Sequence, residues 1–110
     1  MNAKEIIEKC SHLEIAAKRR MEDDYVEVVV FSRDISKWQE FLNSIFGPAV
    51  SPIGARPTQE DIKLTEDYGG IFDDQAFYKK DFEKTQVLAM FWPWQDGEKI
   101  TLKIAVIKKL

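Results

Sequence analysis

The sequence predicts an α+β fold: a mainly antiparallel sheet of about four or five strands with two long helices packed on one face and a C-terminal β-hairpin. Three features carry that reading. One is the β-branched run YVEVVVF at residues 25–31, and another is the closing stretch FWPWQDGEKITLKI at residues 91–104, where a turn separates two apolar runs. The third is a pair of segments, 3–21 and about 35–46, whose apolar residues recur at helical spacing. The chain has 110 residues, which fits one domain over 1–110 and allows roughly two thirds of the unfolded surface to be buried.

Taken in order, Ile6, Cys10, Leu13, Ala17 and Met21 form the stripe of an amphipathic helix over 3–21. Cys10 lies in that stripe and reads as a small buried hydrophobe. Residues 25–31 are apolar on both alternating faces, as an interior strand should be. The second helix starts after Asp34 and carries Ile35, Trp38, Leu42 and Ile45 inward, with Phe41 beside them. It stops at Gly47-Pro48. Residues 47–57 hold three of the four prolines and read as a long loop. Thr58 to Asp61 resembles a capping box opening a short helix to about Asp67, closed by Gly69-Gly70. Residues 71–84 read as strands with Asp73-Asp74 in a turn, Phe72, Ala76, Tyr78 and Phe82 sharing a face. The hairpin strands are expected at about 86–93 and 99–107.

Pro93 constrains that hairpin because it has no N–H to give a partner strand. A two-residue loop, Asp96-Gly97, sets Pro93 opposite Ile100 in a hydrogen-bonded pair and Phe91 beside Leu102. A three-residue loop, Gln95-Asp96-Gly97, turns the proline nitrogen away and gathers Leu88, Met90, Trp92, Ile100, Leu102 and Ile104 on one side. The second arrangement is the one expected. It places Trp92 in the core under the helices and Trp94 at its edge. Val87, Ala89 and Phe91 then lie on the opposite face. The other register makes Trp92 and Trp94 a binding platform flanked by Lys99 and Lys103.

Composition narrows the function classes. A formal charge of −3 argues against nucleic acid as a partner, and the short basic runs Lys18-Arg19-Arg20 and Lys108-Lys109 read as solvated surface. The chain has one histidine, His12, and one cysteine, so neither a zinc site nor a Cys-His dyad is expected, and no cofactor is expected. A reducing, cytoplasmic setting is expected from the lone cysteine and the absence of a long apolar run, as is no membrane association.

Two function hypotheses follow. The leading one is a non-enzymatic binding or protein-interaction domain, self-association as a homodimer included, using a second sheet face that bears Val29, Phe31, Val87 and Phe91. The competing one is a small-molecule binder or small enzyme with a pocket between residues 48–57 and 68–75. There Arg56, Tyr68, Asp73 and Asp74 would meet the ligand, one aspartate acting as acid or base.

Overall fold

A computed structural model describes residues 2–10, 12–72 and 75–108. Five antiparallel strands form one sheet: β1 (Ile15–Met21), β2 (Tyr25–Phe31), β3 (Phe77–Asp81), β4 (Thr85–Pro93) and β5 (Lys99–Lys108). Their spatial order is β1-β2-β5-β4-β3, so β2 is interior, as its two apolar faces require, while β1 and β3 are the edges. Helices α1 (Ala3–Glu8) and α2 (Ile35–Phe46) pack on one face, and α3 (Gln59–Leu64) lies on the other.

The fold is α+β with helices against an antiparallel sheet, but it does not contain two long helices. The first expected helix ends after six residues, at Glu8. The rest of the 3–21 segment turns back and becomes β1, which forms a hairpin with β2 through Asp23 and Asp24. Glu22 N–H donates to the Tyr25 carbonyl across that turn, and Ala3 N–H donates to Asp23, tying the start of α1 to it. Tertiary pairing has overridden helix propensity here. The basic run 18–20 is therefore on an edge strand, not at a helix end. Its charges, with two register shifts along β1, blunt an edge that could otherwise recruit another strand.

Helix α2 follows the sequence closely. Trp38, Leu42 and Phe46 are buried, Ile35, Phe41 and Ile45 pack around them, and Gly47 takes a positive φ of 79° to end the helix. Asp34 stands at the cap position but its side chain makes no capping bond; Thr58 does cap α3, accepting from Asp61 N–H at 3.1 Å. Cys10 is buried beside Ile6, Ile7 and Leu13, and burial raises its thiol pKa above the ordinary value. In the 71–84 segment, Ala76 and Tyr78 join the helix-side core. Phe72 instead projects from the opposite side, and the turn expected at Asp73-Asp74 lies outside the described residues.

The final hairpin corrects the expected register. Pro93 pairs with Ile100, Phe91 with Leu102, and Ala89 with Ile104. The loop between the strands has four residues, 95–98. Trp94 N–H donates to the Lys99 carbonyl at 3.0 Å, Gly97 N–H donates back to Trp94, and Asp96 Oδ1 accepts from the amides of Glu98 and Lys99. Once Trp94 and Lys99 form a hydrogen-bonded pair, the next pair, Pro93 with Ile100, is a non-hydrogen-bonded one. The proline nitrogen points towards β3, which begins only at Phe77 opposite Met90, so nothing there asks it to donate. Both constraints are met by a loop one residue longer than the one expected.

Val87, Ala89 and Phe91 consequently lie under the helices with Val26, Val28, Val30, Leu102 and Ile104, and not on an open face. Phe91→Ala is expected to cost about 3–5 kcal/mol in urea denaturation. Pro93→Ala should stay within about 0.5 kcal/mol of the parent, because the amide it restores faces no strand. A large loss at Pro93 with little at Phe91 would contradict this register.

Candidate functional site

The second face of the sheet is only half covered. Ile71, Phe77, Leu88 and Met90 form a small buried cluster there, closed by Ile62, Leu64, Tyr68, Trp92 and Ile107. Three contacts hold the cover down. Lys79 Nζ donates to the buried Asp61 carboxylate at 2.9 Å, joining β3 to α3, and Lys103 Nζ donates to the Tyr68 carbonyl at 2.9 Å. The third is at Gly69, whose φ is 97° and where a Cβ would stand 3.0 Å from Cζ2 of the Trp92 ring.

The cover ends at Tyr68 and Trp92. Tyr68 stacks on Tyr25 at 5.6 Å, and Phe72 meets Trp92 edge-on at 5.9 Å. Beyond this line the sheet carries a groove of about 330 Å³, lined by Arg19, Glu27, Trp92, Pro93, Trp94, Thr101 and Lys103. The even-numbered residues of β4 and the odd-numbered residues of β5 share this face, so the register places both indoles beside Lys99, Thr101 and Lys103. Lys103 Nζ sits 4.5 Å from the Trp92 ring centre. Lys99 Nζ and the Arg19 guanidinium lie 5.5 Å and 5.9 Å from that of Trp94. Trp94 Nε1 donates to Thr101 Oγ1 at 2.8 Å, whereas the buried Trp92 Nε1 has no hydrogen-bond partner among the described residues. Among the described residues none of Arg19, Lys99 and Lys103 pairs with a carboxylate; the ion pairs formed are Arg20–Glu22, Arg33–Glu14, Arg33–Asp34 and Lys79–Asp61.

Glu27 is the carboxylate of the groove, and it accepts from Tyr25 Oη at 2.8 Å. The Tyr25 pKa is raised well above the tyrosine norm, first by burial and then by that bond; burial also raises those of Tyr68 and Tyr78. A second cavity, about 280 Å³, adjoins the Tyr25–Tyr68 stack and is lined by Arg20, Glu22, Asp24 and Asp67 as well.

The residues singled out from the sequence fall apart in space. Tyr68 lines two cavities, the second of about 450 Å³ with Leu64 and Ile107, and neither includes Arg56, which is exposed on its loop. Asp73 and Asp74 lie outside the described residues. Of the expected interaction surface, Val87 and Phe91 are core, Val29 is buried between β1 and β5, and Phe31 is half-buried under the Arg33 guanidinium. Trp92 and Trp94 with Lys99 and Lys103 do form the platform tied to the alternative register. Arg19 and Thr101 complete it. Arg19 escaped notice because a helix over 3–21 carries it away from the hairpin.

An antiparallel sheet with one covered face and one half-open face describes the class of protein. No family model matches the sequence, and no curated protein or solved structure matches it significantly. No helix among the described residues is long and apolar enough to cross a membrane.

Two measurements test the site's geometry. Gly69→Ala should destabilise by about 1–3 kcal/mol more than Gly54→Ala, because both meet a positive φ but only Gly69 faces a ring. Equal losses in denaturant melts would contradict the close contact. The chain has three tyrosines, all shifted upward, so stability from their burial is full below about pH 10 and lost as pH rises towards the folded pKa values. Phenolate absorbance is expected to appear only above about pH 10, together with unfolding. Reversible titration near pH 10 in the folded chain would contradict it.

Proposed function

We propose that this chain is a non-enzymatic binding domain that takes its ligand or partner on the uncovered half of the second sheet face. The carrying observation is the convergence of two partly buried indoles with three cations that have no carboxylate partner among the described residues. Cations gathered on aromatic faces and left unneutralised suit recognition better than stability, since the same side chains would be better solvated apart.

Association between copies has less in its favour. The strands expected to offer Val87 and Phe91 keep them under the helices. β1 is blunted by charge and bulges, and Ser51 bridges against Phe77 at the start of β3. Among the described residues, the large apolar side chains that remain exposed are Val50, Ile53 and Phe72. For the competing reading, a pocket around Arg56, Tyr68 and the Asp73-Asp74 pair, no cavity lined by Tyr68 among the described residues reaches Arg56.

A screen of small molecules and short peptides, followed by backbone amide NMR, checks the proposal. Binders are expected to shift the amides of Arg19, Trp94 and Thr101 and to leave α1 and α2 unmoved. Responses confined to the proline loop at residues 47–57 would overturn it.

A further inference from the structure

We infer that the groove binds a small organic anion, a flat aromatic body bearing one carboxylate or phosphate group. This rests on the reading of the open half-sheet as the binding surface. It adds the chemistry of what binds.

The groove is rich in donors and poor in free acceptors. Arg19 and Lys103 line it, Lys99 adds charge from over the Trp94 ring at its end, and Thr101, whose oxygen accepts from Trp94 Nε1, keeps its own hydroxyl proton to donate. Three nearby carboxylates each have a hydrogen-bond donor, although Glu27 keeps its charge beside a neutral phenol. Glu27 accepts from Tyr25, Glu22 from Arg20, and Asp96 from two loop amides. This imbalance arises in a chain with 19 acidic and 16 basic side chains, so it is local and not a reflection of composition. Cations held near one another repel, and an anion between them relieves that cost. The indoles hold Lys99 and Lys103 in place, so little ordering remains to be done on binding.

Size and surroundings narrow the anion. A volume of about 330 Å³ is near the lower end of the range for small-molecule sites, roughly 300–1,000 Å³. The flanking rings and Pro93 offer apolar surface to a flat body. A polyanion is disfavoured because the neighbouring cavity carries Glu22, Asp24 and Asp67, which would repel a chain of phosphates running past the groove.

The test titrates the whole chain with naphthoate, naphthyl phosphate, neutral naphthamide and naphthylmethylammonium, reading backbone amide NMR shifts. At least one anion is expected to move the amides of Arg19, Trp94 and Thr101 and to bind about tenfold or more tightly than the amide, with no response to the ammonium. Carboxylate and phosphate arms together identify which anion the groove prefers. Arg19→Gln and Lys99→Gln, both partly exposed substitutions, should each weaken the anion about fivefold while leaving the amide unchanged. Should naphthamide bind as tightly as naphthoate at the same residues, the anion inference is overturned and the binding-domain reading stands. Groove amides unmoved by either anion also overturn the inference; the broader screen then decides the binding-domain reading separately.

Discussion

Pro93 lacks the N–H that every other residue of β4 can offer, and the last hairpin is arranged so that this never matters. Closing the strands on Trp94 and Lys99 makes Pro93–Ile100 a non-hydrogen-bonded pair, with the ring nitrogen facing past the end of β3. Because side chains alternate along a strand, the pairing register that opposes Pro93 to Ile100 also settles which residues of β4 look at the helices. Phe91, Ala89 and Val87 go in; Trp92 and Trp94 go out with Lys99, Thr101 and Lys103. A loop shorter by one residue would exchange those sets, burying the indoles and removing the groove. The open face with its two indoles is thus a consequence of the register that the four-residue loop closes, a register that also leaves Pro93 no bond to give.

Much of this architecture was legible where a local signal and a tertiary one agree. Residues 25–31 read as an interior strand because β2 has neighbours on both edges and its Val26, Val28 and Val30 face the helices, and 35–46 shows a clean stripe because α2 has one wet side. Residues 15–21 gave no such signal. An edge strand exposed along most of its length has no need to alternate, and Ala16, Ala17, Lys18, Arg19 and Arg20 all suit a helix intrinsically. Only pairing with β2 makes them a strand, and pairing is not written in a seven-residue window. The loop at 95–98 was ambiguous for a related reason. Asp96-Gly97 suits several bends, and the deciding bonds run from Asp96 Oδ1 to two amides further along. The indoles and lysines of the groove were therefore visible as a platform tied to one register, while Arg19 depended on the strand that propensity hid.

The half-open face follows from geometry. Strands spaced about 4.8 Å apart make a five-stranded sheet roughly 19 Å across, whereas a six-residue helix is about 9 Å long. α3 can shield β3, β4 and the near part of β5, but not the whole. The Asp61–Lys79 pair and the Gly69–Trp92 contact fix it over that half, where Phe77, Leu88 and Met90 need it. What remains uncovered is dominated by polar and aromatic groups, among them Arg19, Glu27, Trp94, Thr101 and Lys103. Apolar residues gather where α3 covers the sheet, and amphipathic ones dominate where it does not.

An overall charge of −3 does not oppose a small anion reaching that surface. At physiological ionic strength charges beyond about 8 Å are largely screened, so an arriving ligand responds to the side chains around it and not to the sum over the chain. There Arg19 and Lys103 line the groove and Lys99 stands over Trp94 at its end, against one charged carboxylate, Glu27. A nucleic acid strand is different, because its phosphates extend beyond one Debye length and meet Glu22, Asp24 and Asp67 next door. The same net charge that argues against a polyanion is therefore compatible with a single charged group held between two indoles.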